Sequence, residues 1–311
     1  MSFAGMMLVA CLIDAAVGWP DALYRRIGHP VVWLGAAITA LERRWNRGGA
    51  ARRRALGAAL VAVATGGAAL AALALQAALP GGWAGVLLGG ALAWPLVALR
   101  SMHAHVAAVA APLAAGDTAA ARDAVRLIVG RDPARLDAPG VGRAALESLA
   151  ENTSDGIVAP VVWGVVAGLP GIAAYKAINT LDSMIGHRSA RYADFGMAAA
   201  RLDDVANWIP ARLTGLLFAA TAPRPRAALR AMARDARRHR SPNAGWPEAA
   251  MAGALGLRLS GPRLYGDTWA EEPWLNGAAP DPAPGDLGRG LALYRRAMAA
   301  MLVALAGLAL L

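Results

Sequence analysis

Apolar residues run along this chain in long stretches, while polar residues gather in short dense clusters, and that pattern predicts the elements. Residues 55–79 carry no charge and exceed the roughly 20 residues that cross a hydrocarbon core. "PGG" ends that run at residues 80–82. Residues 83–99 then return, broken by Pro95, so 55–99 reads as a transmembrane hairpin whose many Gly and Ala suit close helix packing in lipid. The opening 20 residues lack a basic start and hold Asp14 inside an apolar run, which predicts a retained first membrane segment rather than a cleaved signal. Residues 290–311 predict a C-terminal transmembrane helix.

Two runs are marginal. Residues 157–174 are interrupted by Pro160, Pro170 and three glycines, and residues 205–222 contain Pro210 and Arg212. Each is a crossing, or else a re-entrant or interfacial helix, which is tolerated where protein covers the backbone. Residues 101–151 are mixed and helical in pattern, with Asp117 as a helix cap and a stop at Pro133. Residues 223–289 are soluble-looking, rich in Pro and Gly and basic at their start. The reading is an all-α, polytopic integral membrane protein with a cytoplasmic-facing polar site and re-entrant or interfacial helices. It forms one domain over 1–311, divided into an N-terminal segment (1–54), the hairpin (55–99), a catalytic region (100–289) and the last helix (290–311).

Composition supports a membrane protein, with 57% hydrophobic and 17% charged residues. The net charge of +10 could suggest nucleic acid. The arginines, however, stand in blocks such as "ERRWNRGGAARRR" beside apolar runs, as cytoplasmic flanks do, and no nucleic-acid-binding motif accompanies them. Arg52, Arg53 and Arg54 before the hairpin and Arg100 after it place both its ends in the cytoplasm. Cys11 is the single cysteine, so no intrachain disulfide or cysteine metal site forms.

Three polar clusters are candidates for chemistry. In "ALESLAENTSDG", helical spacing puts Glu147, Glu151 and Asp155 on one face; three carboxylates there suit magnesium or a basic substrate, or a solvated helix end. In "YKAINTLDS", Lys176, the only lysine, shares a stripe with Asn179, Thr180 and Ser183, and Asp182 lies beside Asn179. That group could hold a phosphate, or Lys176 could simply snorkel. In "ARLDDVANWIPARL", Asp203, Asp204 and Asn207 fall close together between Arg201 and Arg212. They fit a magnesium–phosphate site, or one aspartate caps a helix starting at Val205. An uncompensated charge at bilayer depth costs about 2.5–3.5 kcal/mol, which favours one interfacial site on which the clusters converge. His29 before Pro30 fits a helix cap, and Asn243, Trp246 and Glu248 surround a turn into a helix. His103 and His105 are too close in sequence to share a helix face. Standard ATPase, dinucleotide and hydrolase motifs do not occur.

The blocks "ESLAENTSDGIVAPVVWGVVAGLPGIAAYKAINTLDSMIGHRSARYADFGMAAARLDDVANWIPARLTGLL" and "SPNAGWPEAAMAGALGLRLSGPRLYG", with "DAAVGWPDALYRRIGHPVVWLG" near the start, resemble the membrane-bound adenosylcobinamide-phosphate synthase family of cobalamin biosynthesis. The resemblance covers roughly residues 10–270; one departure is Arg240-Ser241 before Pro242, where the family commonly has His-Pro, with His239 here one residue earlier. It implies an ATP- and magnesium-dependent amide ligation of adenosylcobyric acid, the corrinoid substrate, with aminopropanol or its phosphate. It also implies a multi-pass inner-membrane location, a cytoplasm-facing site and possible neighbours among other membrane corrinoid enzymes. By that resemblance Asp182, Asp203 and Asp204 serve magnesium; Lys176, Arg201 and Arg212 serve phosphates; Glu147, Asn152 and Asp155, with Lys176 and Asn179, form the catalytic set. His29, Asn207, Asn243, Trp246 and Glu248 would shape the substrate side. The rival expectations are a membrane transporter and a magnesium-dependent membrane phosphotransferase.

Overall fold

The computed structural model describes all residues except Arg131, Arg188, Gly266 and Asp267, and the side chains at 263–269 are likewise left undescribed. Its helices in chain order are α1 (Phe3–Val17), α2 (Asp21–Ile27), α3 (Pro30–Trp45), α4 (Ala50–Ala77), α5 (Gly82–Ala93), α6 (Leu99–Ala114), α7 (Thr118–Val125), α8 (Ala138–Thr153), α9 (Ala159–Ile185), α10 (Met197–Ala206), α11 (Trp208–Thr221), α12 (Pro225–Asp235), α13 (Gly245–Leu255) and α14 (Asp286–Ala309). Among the described residues four stretches are long and apolar enough to cross a membrane, and a fifth if the sharply bent pair α1 and α2–α3 makes one broken span. The protein is an all-α polytopic membrane protein, as its hydrophobic pattern predicts. The chain forms two compact, interleaved units: residues 1–98, 159–207 and 304–311 in one, and 99–158 and 208–303 in the other.

In the first unit, α4 packs along α9 and α1 along α5. Close approach depends on missing side chains: a Cβ on Gly57 would collide with the Phe195 carbonyl oxygen. Phe195 itself is fully buried with Ile38, Leu60, Leu181 and Ile185. The chain around it is fastened by two acidic clamps. Glu42, buried on α3, accepts from Arg191 Nε (3.0 Å) and Nη2 (2.8 Å) and from Asn46 Nδ2 (2.8 Å). Asp194 accepts from Arg53 Nη2 (2.7 Å) and Arg54 Nε (2.9 Å). The arginine block read as a cytoplasmic flank therefore also fixes the link into α10.

The marginal run at 157–174 owes its ambiguity to a real break. Helix α9 is interrupted at Ala167 (φ −135°, ψ 17°) and Gly168 (φ 65°, ψ −149°), the second a conformation that favours glycine. An interrupted helix frees backbone donors that lipid cannot satisfy. Here Gln76 Oε1 of α4 accepts from the Leu169 amide at 2.8 Å.

In the second unit, Asp117 caps α7 through the Ala120 amide (2.9 Å), as expected. A π-helical turn over residues 154–158 follows α8. Between α13 and α14 stand two short antiparallel ladders that the sequence reading did not anticipate, Leu259–Ser260 with Trp274–Leu275 and Arg263–Tyr265 with Thr268–Ala270. Asp281 holds this loop by accepting from Arg143 (2.6 Å) and from Arg258 Nε (3.0 Å), and both guanidiniums lie over the Trp274 ring.

Gly57→Ala is expected to lower the melting temperature in detergent substantially, since the Phe195 carbonyl must move. Gly66→Ala, with nothing within 4 Å of the added Cβ, is the neutral control, measured by the same thermal scan.

Candidate functional site

The residues singled out from sequence divide between the two units. Lys176, Asn179, Asp182, Arg201, Asp203, Asp204, Asn207 and His29 belong to the first; Glu147, Asn152, Asp155, Arg212, Asn243, Trp246 and Glu248 belong to the second.

In the first unit, α9 and α10 pack together, and their polar residues form a layered group. Tyr175, fully buried, donates its hydroxyl to Asn207 Oδ1 (2.8 Å), and Asn207 Nδ2 donates to Asp203 Oδ2 (3.0 Å). Asp203 Oδ1 is buried and without a hydrogen bond of normal geometry. Burial and the charge of Asp182, with a smaller push from Asp204, raise the Asp203 carboxyl to about 7, against the opposing amides of Asn207 and Asn179. Asp203 lies within α10 and Asp204 beside it, so neither caps a helix at Val205; α10 continues to Ala206 and α11 starts at Trp208. Asn207, expected on the substrate side, links Tyr175 to Asp203. Tyr175 was missed because an aromatic at helical spacing in an apolar run looks like core.

Lys176 is half-buried and, among the described residues, is the only charged one lining a cavity of about 380 Å³ whose other walls include Trp33, Leu34, Leu75 and Pro95. Its charge reaches His29. His29 caps α3 as expected, its Nδ1 accepting from the Val31 amide at 3.2 Å, and its ring stands edge-on to Trp19 at 4.9 Å. Thr180 and Ser183 turn their hydroxyls back onto the Lys176 and Asn179 carbonyls (2.7 and 2.8 Å) and do not extend a phosphate cradle. Arg201 is exposed on α10.

Magnesium keeps several waters and usually takes only one or two carboxylates beside substrate phosphates. Among the described residues no three His, Cys, Asp or Glu side chains converge closely enough to hold a metal, so the three aspartates are not a preassembled cage. The unbonded Asp203 Oδ1, with Asp182 and Asp204 acting on it electrostatically, fits the sparser arrangement.

In the second unit, the expected carboxylate stripe does not form one solvated face. Glu147 is buried and accepts from the Ser260 amide at 2.8 Å, whereas Glu151 is exposed. The π turn at 154–158 then takes Asp155 out of α-helical register. Asn152 Nδ2 donates back to the Ser148 carbonyl at 2.9 Å. The stronger arrangement surrounds Arg212. Its guanidinium lies between the Trp208 and Trp246 rings, 4.3 and 4.5 Å from their centroids, and Nη1 donates to Asn243 Oδ1 (3.1 Å) and the Trp208 carbonyl (2.6 Å). Partial burial and nearby Arg237 lower its proton affinity from the ordinary guanidinium value. Such stacking fixes a planar donor for an oxyanion. Trp208 was missed, although it stands four residues before Arg212. Pro247 is the third residue of α13. His239, displaced by one residue from the family pattern, still reaches Glu248, with Nε2 3.8 Å from Oε2.

A family model described as CobD/Cbib protein matches residues 7–294. The chain belongs to this family. Among its relatives, the cobalamin biosynthesis protein CobD of Rhodobacter capsulatus is 70% identical over 302 residues, covering 97% of this chain and 96% of that one. The same-named proteins of Brucella suis (49% identical; 95% and 94% covered) and Sinorhizobium fredii (45%; 98% and 96%) follow. No solved structure matches. The family is the one that the central block resembles.

The Asp203 proton makes stability depend on pH in a stated direction. A folded-state value raised from 3.8 to about 7 gives stability that is complete below pH ~4 and is lost as pH rises through ~7. The melting temperature of the wild type in detergent is therefore expected to fall across that window relative to Asp203→Asn; parallel curves would show that Asp203 is already ionised.

Proposed function

We propose that the protein acts in cobalamin biosynthesis as an amide-forming ligase, joining the propionate carboxylate of adenosylcobyric acid to the amine of aminopropanol or its O-phosphate. The observation that carries this reading is the family match over residues 7–294, and the side chains agree with it chemically. A carboxylate is a poor acyl donor because an attacking amine would have to expel oxide. Transfer of a phosphoryl group from ATP gives an acyl phosphate; the amine then adds to the carbonyl carbon, phosphate leaves, and the amine loses a proton. Catalysis of this kind rests on positioning and charge neutralisation.

In this proposal Arg212, fixed between two indoles, and Lys176 and Arg201 hold phosphoryl oxygens. Asp203, oriented by Tyr175 through Asn207, would hold magnesium with help from Asp182 and Asp204. When bound, the ion supplies charge neutralisation at the phosphates. Asn152 and Asp155 take the amine, while His29, Asn243, Trp246 and Glu248 shape the corrinoid side. Glu147 braces the Ser260 backbone. The proposed location is the inner membrane with the chemistry facing the cytoplasm, where the nucleotide is.

Purified protein in detergent, given adenosylcobyric acid, aminopropanol phosphate, ATP and Mg²⁺, is expected to yield a corrinoid mass gain equal to amide formation, followed by liquid chromatography and mass spectrometry. Lys176→Ala should abolish product at normal protein level. Arg212→Lys keeps charge but loses the planar fork, and should lower kcat/KM by about 10–100-fold, the worth of a charged hydrogen bond. Wild-type protein that binds no corrinoid would favour a transporter instead.

A further inference from the structure

Helix α11 is apolar on two sides. One side buries Pro210, Ala211, Gly215 and Phe218 within its own unit, where it packs on α13. The other exposes Trp208 (55%), Ile209 (55%), Leu213 (43%) and Leu216 (47%). Positions 209, 213 and 216 are spaced by four and three, so they form a single stripe. An apolar helix face of this kind is not left to water without a reason. Its 14 residues extend about 21 Å, short of the roughly 30 Å of a hydrocarbon core. It cannot cross a bilayer alone.

The surroundings of the stripe identify what covers it. Trp208, at the start of the helix, is stacked on Arg212, and Arg237 lies close enough to act on that guanidinium. Helix α12 packs against α11 and exposes Arg226 and Arg230, with Leu229 between them at 41%. An apolar stripe, a tryptophan at its end and a cationic neighbouring helix are the features of an element lying in a membrane interface. Basic side chains there are attracted by an anionic leaflet. A water-soluble protein partner would account for the apolar stripe but not for the row of arginines beside it in a chain that already spans the bilayer.

We propose that α11 lies flat in the bilayer interface, with Ile209, Leu213 and Leu216 against acyl chains and Arg226, Arg230 and Arg237 toward anionic lipid headgroups. This assignment goes beyond the ligation and does not depend on it. It also decides between the crossing and interfacial readings of residues 205–222.

Cys11 is the only native thiol and is buried, so a Cys11→Ser background permits single-cysteine labelling. Nitroxide labels on Ile209→Cys, Leu213→Cys and Leu216→Cys would be examined by electron paramagnetic resonance in vesicles of phosphatidylcholine with phosphatidylglycerol. The expected result is oxygen access exceeding nickel-chelate access at all three positions, at one shallow depth. A progressive depth change of about 10 Å from 209 to 216, the rise of seven helical residues, would overturn the proposal in favour of a crossing. Chelate access as high as that of a label on Arg226→Cys, or access to neither reagent, would overturn it in favour of solvent or a protein partner. For the charge, brominated phosphatidylglycerol should quench the Trp208 fluorescence, taken as the difference from Trp208→Phe, more than brominated phosphatidylcholine does. Joint Arg226→Gln and Arg230→Gln substitution should remove that difference, and equal quenching in the parent would refute the anionic-headgroup contact.

Discussion

A polar group taken out of water must find its partner inside the chain, and that constraint governs this protein more than any single hydrophobic contact. Glu42 is almost wholly buried and is held by a bidentate arginine and an asparagine. Asp194 is held by two arginines. Both acids sit where the chain must turn from α9 into α10, and the apolar core around Phe195 closes beneath them. The polar layer of Asp203, Asn207 and Tyr175 is built on a helix whose entry is fixed in this way. Asp203 is one exception among the described residues: its Oδ1 is buried without a hydrogen bond of normal geometry.

Hydrophobic runs made most of the fold readable. A charge-free run beyond 20 residues has few alternatives to a spanning helix, so α4 could be placed from the pattern alone, within a few residues at each end; α14 was placed by the apolar residues that follow Arg295 and Arg296. The caps at His29 and Asp117 were legible because a cap is local chemistry: a side chain and an amide two or three residues away. The short ladders at 259–275 were not. Each pairs only two or three residues across a loop, and so few positions carry no period.

The candidate residues were readable from the sequence, and their contacts were not. Cluster spacing assumed an uninterrupted α-helix, and the π turn after Thr153 breaks that assumption, separating the surroundings of Glu147 from those of Asp155. Glu147 and Asn207 carry the right chemistry for substrate contact but spend bonds on the protein itself. Conversely, Tyr175 and Trp208 join the candidate groups through a partner distant in sequence and through ring stacking. Neither relation leaves a trace in spacing. The family resemblance could be read because it matches residue order, which does not depend on knowing what each residue touches.

The bond from Gln76 to the Leu169 amide has a consequence for biogenesis. The acceptor belongs to an early helix and the donor to a later one. As the chain is made, α4 can enter the bilayer with a glutamine whose amide has no partner yet, near its end where water is close. Helix α9 arrives afterwards, already broken at Gly168, and finds its missing acceptor waiting. The order of synthesis thus lets the tolerable polar group be inserted first and the intolerable one second, so the break in α9 never has to face lipid unaccompanied.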